Sequence, residues 1–203
     1  MIRVSKRITD LGLALALALF LWPLVLLISL LILIRDGRPV FYLSERMKTP
    51  DQAFVLWKFR TMTVTDGDSG VSGGDKAARI TPIGRFLRKT RLDELPQLLN
   101  ILRGDMSFVG PRPPLRFYVE QHPGLYARVL QFRPGVTGLA TLRYHRTEER
   151  LLSRCRTAEE TDQVYSRRCV PVKARLDMIW ADHQSLCFDL QLIVETVARM
   201  IKT

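Results

Sequence analysis

Asp93-Glu94 is the pair of residues in this 203-residue sequence whose types and spacing point most directly to chemistry. It follows the basic residues Arg85, Arg88, Lys89 and Arg91 and precedes Leu95-Pro96. An Asp carboxylate can accept a phosphoryl group as a nucleophile, and a neighbouring Glu can hold Mg²⁺ against phosphate oxygens. The same spacing fits a plainer role: a capping acid and a first-turn acid, kept ionised by backbone N–H groups and the helix dipole. Gly110-Pro111-Arg112-Pro113-Pro114 is the second feature. Its prolines restrict the backbone around Arg112, whose fork suits bidentate phosphate contact, although a rigid surface turn explains them equally. Lys58-Phe59-Arg60 and Arg133-Pro134-Gly135 offer further cations. Asp66-Gly67-Asp68 imitates the D-x-D of metal-dependent sugar transferases, and in a Gly-rich stretch it is a weak signal. His122, His145 and His183 lack zinc-ligand spacing.

The elements that must position these groups begin with 24 uncharged residues, Leu11 to Ile34, of which only Gly12, Pro23 and Ser29 are not apolar. As a straight helix the run would reach ~36 Å, enough to cross a ~30 Å hydrocarbon core. It is too long for a signal-peptide core, and no A-x-A-like cleavage site follows it. Pro23 at its middle predicts a kink. Arg3, Lys6 and Arg7 precede the run, and Arg35 and Arg38 follow it. Two basic flanks suit a helix that enters, bends and leaves by one face, whereas a kinked single span would put one flank on the outer side. Residues 1–38 thus form a membrane segment and 39–203 a catalytic body.

In that body, Pro39–Arg46 and Phe54–Met62 are rich in β-branched and aromatic residues around the turn-like Thr49-Pro50-Asp51-Gln52, which predicts a hairpin. Thr65–Lys76 reads as a loop. Thr81-Pro82 is an N-cap with Pro at the first helical position, and a second helix is expected from Asp93 to about Leu102, stopped by Gly104. Helical patterns return at Pro114–Phe132, Thr157–Arg168 and Asp189–Ile201. The last places Leu190, Ile193, Val197 and Met200 on one face, to pack on the core or lie in the lipid interface. The class is α+β, mostly helical, with a small hairpin and several amphipathic helices. Cys155, Cys169 and Cys187 form no C-x-x-C pair and read as free thiols of a reducing compartment. The 47% hydrophobic content excludes a disordered chain, and the +11 net charge suits phosphates or a membrane surface.

Taken in order, these segments resemble the monotopic phosphoglycosyl transferases of the bacterial sugar transferase family. The resemblance begins with Lys6-Arg7-Ile8-Thr9-Asp10, the apolar helix with its central proline, Pro39-Val40-Phe41 and Lys58-Phe59-Arg60-Thr61-Met62. It continues through Arg91–Gln97, Gly104–Pro113 and Arg133–Gly138 to Leu176-Asp177 and Leu186-Cys187-Phe188-Asp189-Leu190. It implies transfer of a phosphosugar from a UDP-sugar to polyprenol phosphate (undecaprenyl phosphate), with UMP released. Asp93 would be the nucleophile that carries an aspartyl phosphosugar, and Glu94 the acid associated with Mg²⁺. Lys58, Arg60, Arg88, Arg91, Pro111, Arg112, Pro113 and Arg133 would bind substrate. The family's re-entrant helix would place Pro23 at the bend, with Lys6, Arg7 and Asp10 at the headgroups. The enzyme would sit on the cytoplasmic face of the bacterial inner membrane as the small form, monotopic, with membrane lipids and no nucleic acid as partners. Trp22 departs from the Ser that often precedes the family's helix-breaking proline.

Overall fold

The computed structural model describes residues 2–65 and 70–201. The Asp66-Gly67-Asp68 motif and the Arg3 side chain lie outside the described residues. The apolar run lies within one helix, α1 (Ile2–Arg35), which contains Pro23. Its outward face is apolar, with Phe20 80% and Leu19 68% exposed, a surface suited to lipid and costly in water. Its inward face buries Ala14 against Ile101 and Met106, and Ile28 and Ile32 against Phe59 and Leu87.

Polar groups tie both ends of α1 to the body. Near its start, the Arg7 guanidinium donates to the carbonyls of Ile101 (2.7 Å) and Leu102 (3.1 Å). Just past its end, Arg60 donates to the carbonyls of Asp36 (2.6 Å), Gly37 (2.8 Å) and Arg38 (3.3 Å). The Asp36 carboxylate accepts from Thr81 Oγ1 at 2.8 Å.

The expected hairpin is β1 (Phe41–Met47) against β2 (Ala53–Phe59), with Phe41 opposite Phe59 and Met47 opposite Ala53. Phe41 stacks on Phe59 at 5.4 Å between centroids. Across the free edge of β2, buried Asn100 accepts from Trp57 N (3.1 Å) and donates to Val55 O (2.7 Å). A strand edge that would otherwise be orphaned is thereby satisfied by one amide.

Helix α2 (Pro82–Thr90) starts as the sequence predicts, with Thr81 Oγ1 accepting from Gly84 N at 2.9 Å. Gly84 lets α2 press onto the chain leaving β2, since a Cβ there would lie 2.0 Å from the Thr61 carbonyl oxygen. The next helix differs from expectation. Leu92–Glu94 is a separate 3-10 turn, and α3 spans Gln97–Arg103, ending at Gly104 with φ 87. Arg91, in the left-handed region at φ 59, both ends α2 and starts the turn. This conformation costs a non-glycine residue about 1 kcal/mol. It reverses the chain at the point where the two carboxylates follow.

Strands β3 (Ser107–Val109) and β4 (Gly135–Thr137) pair in parallel, which sets the Pro111–Pro113 loop beside Arg133–Gly135. Gly110 N donates to Thr137 O (2.9 Å) and Gly135 N to Pro111 O (2.8 Å). The remaining helices are α4 (Arg116–Gln121), α5 (Pro123–Val129), α6 (Leu139–Leu152), α7 (Ala158–Val164), α8 (Val170–Asp182) and α9 (Leu186–Ile201). The pattern expected over Pro114–Phe132 is thus two helices, because Pro123 starts a new one. The Thr157–Arg168 pattern is one α-turn set followed by a π segment, Tyr165–Cys169, that runs into α8.

α9 is rotated relative to its apolar pattern. Asp189 and Leu192 are buried, Ile193 packs beside them, and Leu190, Val194 and Val197 are 50%, 66% and 49% exposed. Asp189 turns inward because its carboxylate pairs with Lys6 of α1 and accepts from Trp180 Nε1 at 2.9 Å. An outward apolar stripe on an amphipathic helix is the form taken by helices lying in a lipid interface.

Candidate active site

The 3-10 turn carries Asp93 and Glu94 into the body, where both are buried. Neither caps a helix: α3 has Pro96 at its N-cap position, with no side-chain cap bond. The plainer reading of the pair as capping acids is therefore replaced by one in which the two carboxylates face cations from three segments.

Glu94 is the hub. Its Oε1 accepts from Arg112 (2.9 Å) on the Pro-Arg-Pro loop and Lys58 (3.1 Å) on β2, and Arg91 stands 3.5 Å away. Burial opposes the charge on Glu94, but Lys58, Arg112 and Arg91 together hold its carboxyl well below the usual carboxylate range. Reciprocally, Glu94 raises the Arg112 guanidinium. Burial pushes the Lys58 ammonium down, against the pull of Glu94. Glu94 is thus a fixed anion that positions three cations.

Asp93 is different. Its Oδ1 is buried and has no hydrogen-bond partner among the described residues. Burial pushes its carboxyl up and Glu94 pushes the same way, while Lys58, Arg88 and Arg91 oppose both. A desolvated carboxylate with a free oxygen is a better nucleophile than one tied into a cap. The basic side chain of Arg88 is aimed by Thr61 Oγ1 (2.9 Å) and Ser72 Oγ (3.4 Å).

Of the cations singled out in the sequence, Lys58, Arg88, Arg91 and Arg112 surround the dyad. Pro111 and Pro113 hold Arg112 in place, and Pro111 O also accepts from Gly135 N. Arg60 lies elsewhere, on the carbonyls that follow α1. Arg133 acts electrostatically on Arg7 and has no contact with the carboxylates among the described interactions. Lys6 and Asp10 are buried, Lys6 on Asp189 and Asp10 accepting from Phe108 N at 3.3 Å, so these groups face protein. Arg7 closes the C-terminal carbonyls of α3, as a cation at that end of a helix should.

Two features escaped the motif reading. Arg46 lines the cleft beside Lys58, Gln97, Arg112 and Pro113. Behind Arg112, a second cleft is lined by Tyr126, Tyr165, Lys173 and Asp177. There Lys173 donates to Tyr165 Oη (3.1 Å) and Glu148 Oε1 (3.1 Å). Burial pushes the Asp177 carboxyl up to about 7, against Lys173. Asp177 lies in the Leu176-Asp177 segment of the family resemblance, and its inward orientation depends on the register of α8, which continues from the π segment.

A divalent cation is compatible with these residues. No group of three or more His, Cys, Asp or Glu side chains that could hold a metal occurs among the described residues. The dyad instead offers Glu94 Oε2, since the ion pairs of Glu94 all fall on Oε1, and Mg²⁺ is typically held by one or two carboxylates plus substrate phosphates and water.

Comparison with known proteins fits this arrangement. The family model described as "Bacterial sugar transferase" matches residues 1–203. The chain belongs to the bacterial sugar transferase family. It is 32% identical over 200 residues to the uncharacterized sugar transferase EpsL of Bacillus subtilis, covering 98% of this chain and 88% of that protein. It is 35% identical over 207 residues to the UDP-glucose:undecaprenyl-phosphate glucose-1-phosphate transferase of Caulobacter vibrioides, covering 98% of this chain and 71% of that one. The Escherichia coli protein of the same description is 33% identical over 199 residues, and the match spans 40% of its length. This family member thus corresponds to a part of some relatives and most of others.

Proposed function

We propose that this chain transfers a phosphosugar from a UDP-sugar to polyprenol phosphate at a membrane, through a covalent intermediate on Asp93. The observation that carries the reading is the asymmetry of the dyad: Glu94 meets three cations, while Asp93 Oδ1 is buried without a hydrogen-bond partner among the described residues. Phosphoryl transfer needs positioning and charge stabilisation more than elaborate proton chemistry, and this site supplies both. The relatives described as UDP-glucose:undecaprenyl-phosphate glucose-1-phosphate transferases support the same donor and acceptor classes.

In this mechanism Asp93 Oδ1 attacks the sugar-bearing phosphorus of the donor. The bridging P–O bond to the nucleoside phosphate breaks and UMP leaves, so the sugar phosphate becomes an acyl phosphate on Asp93. A phosphate oxygen of polyprenol phosphate then attacks the same phosphorus. The carboxyl–phosphate bond breaks, Asp93 is regenerated and polyprenyl diphosphate sugar departs. Lys58, Arg88 and Arg91, the cations that act on Asp93, offset the charge that develops on the phosphoryl oxygens. Glu94 and the substrate phosphates would hold Mg²⁺, which would supply Lewis-acid stabilisation of that charge.

The membrane reading rests on α1. Both its ends are tied to one body, at Arg7 and at Asp36–Arg38, while its middle exposes apolar residues. These attachments support a helix that enters and leaves by one face, and the basic flanks support a cytoplasmic face. The exposed stripe Leu190, Val194 and Val197 gives the body a second apolar contact with lipid.

The test is incubation of the full-length protein with UDP-sugars, polyprenol phosphate and Mg²⁺, with separation of UMP from UDP. We expect UMP, and a phosphosugar adduct on Asp93 by mass spectrometry when acceptor is withheld. Asp93→Asn should abolish both. UDP as product, an adduct elsewhere, or substantial turnover by the variant would overturn the assignment.

A further inference from the structure

Five cations stand around the dyad, and Arg46 differs from the other four. Lys58, Arg91 and Arg112 meet Glu94, and Arg88 is held by Thr61 and Ser72. The Arg46 guanidinium has no hydrogen bond or ion pair among the described residues, and its Nε is buried without a partner. It is nevertheless turned into the cleft lined by Leu56, Lys58, Gln97, Arg112 and Pro113. The next bond of the chain fixes its strand to the Pro-Arg-Pro segment, because Met47 N donates to Pro114 O at 2.9 Å. The adjacent carboxylate does not serve it: Glu45 points the other way along the strand and pairs with Arg116 at 2.9 Å.

A guanidinium packed beside another guanidinium is repelled by it, and a half-buried one is also poorly hydrated. Burial and Arg112 both act against its charge. Such an arrangement is favourable once an anion enters between the cations. The field at Asp93 comes from Lys58, Arg88 and Arg91, so the phosphate under attack lies among those groups. Arg46 is not among the groups that act most on Asp93; it feels Arg112 most and in turn acts on Lys58, at the edge of that set. A diphosphate attacked at one phosphorus by Asp93 would extend its other phosphate toward Arg46 and Arg112.

We propose that Arg46, together with Arg112, binds the departing nucleoside phosphate of the donor. This rests on the phosphosugar-transfer reading and assigns a residue within it. As the bridging P–O bond breaks, the shared electron pair goes to that phosphate, which gains negative charge. A preformed cation without a competing carboxylate stabilises this end more in the transition state than in the ground state.

The experiment uses full-length wild type, Arg46→Gln and Arg46→Lys in the same detergent, with thermal unfolding as the check on folding. UMP and uridine are compared as inhibitors of turnover, and adduct formation is timed without acceptor. For Arg46→Gln we expect UMP inhibition to weaken about 10- to 100-fold and adduct formation to slow comparably, as for loss of a charge-assisted contact. Uridine inhibition should stay within about twofold of wild type, and Arg46→Lys should recover part of the UMP affinity. Unchanged UMP inhibition overturns the proposal, as does an equal loss for UMP and uridine. A rise confined to the polyprenol phosphate KM also overturns it and moves Arg46 to the acceptor. If the wild type releases no UMP from any UDP-sugar, the transferase reading itself fails; if it does and Arg46→Gln keeps its UMP affinity, only this assignment fails.

Discussion

Asp177→Asn should stabilise the folded protein, and by more as the pH rises. Asp177 is 7% exposed on α8, in the cleft behind Arg112. The groups around that cleft are Lys173, Arg112, Tyr126 and Tyr165, with Glu148 on the far side of Lys173. Lys173 is occupied by Glu148 and Tyr165, so it only partly offsets the burial that pushes Asp177 up to about 7 from 3.8. The folded state therefore binds more protons than the unfolded state between these two values, and stability falls as pH rises through that window. Above the folded value both states are ionised, and the penalty is constant. From about pH 5 to about pH 8 the loss comes to about 2–3 kcal/mol, at roughly 1.4 kcal/mol per unit of difference. The amide is nearly isosteric and never ionises, so the variant lacks this slope. For a chain of this size the difference between the two proteins should widen by about 5–10 °C in Tm over that range. The assay is thermal unfolding in detergent at both pH values, followed by Trp fluorescence. If the two proteins have parallel pH dependences, Asp177 is ionised in the folded state and the reasoning fails.

Two further outcomes follow from the same geometry. Arg7→Ala removes both donors from the last carbonyls of α3 and should cost about 1.5–3 kcal/mol of stability, with Arg7→Lys intermediate; a thermal unfolding midpoint equal to wild type would show that water replaces the guanidinium. Glu94→Gln leaves Lys58, Arg91 and Arg112 around a neutral amide, so turnover should fall at least ~100-fold while UMP inhibition becomes stronger. Turnover and UMP affinity falling together would instead mean that the cations are displaced when their hub is lost.

Much of the scaffold was legible because its determinants are local. Thr81-Pro82 starts α2 and Gly104 stops α3, since caps depend on residues within one turn. The hairpin follows from β-rich runs on either side of a turn. The apolar run makes α1 by composition alone. Asp93-Glu94, Lys58, Arg88, Arg91 and Arg112 could be named as candidates, and these do converge. Three features depend on how the chain turns and packs and are not written in local pattern. Asp93 does not cap α3, because Arg91 reverses the chain into a separate turn. α9 does not bury its most apolar face, because Asp189 must meet Lys6, 183 residues away. Arg46 carries no local signal, since a lone arginine on a strand is usually a solvated charge.

By itself, then, the sequence determined a membrane-length apolar helix, the elements of an α+β body and the residue types needed for phosphoryl transfer. These are properties of short segments, read from periodicity, caps and composition. Only the tertiary structure decided which carboxylate is neutralised and which is free. That difference depends on burial and on cations contributed by β2, the end of α2 and the Pro-Arg-Pro loop. Electrostatic environment is set by distances between segments far apart in the chain, and two adjacent acids differ only once those segments have packed.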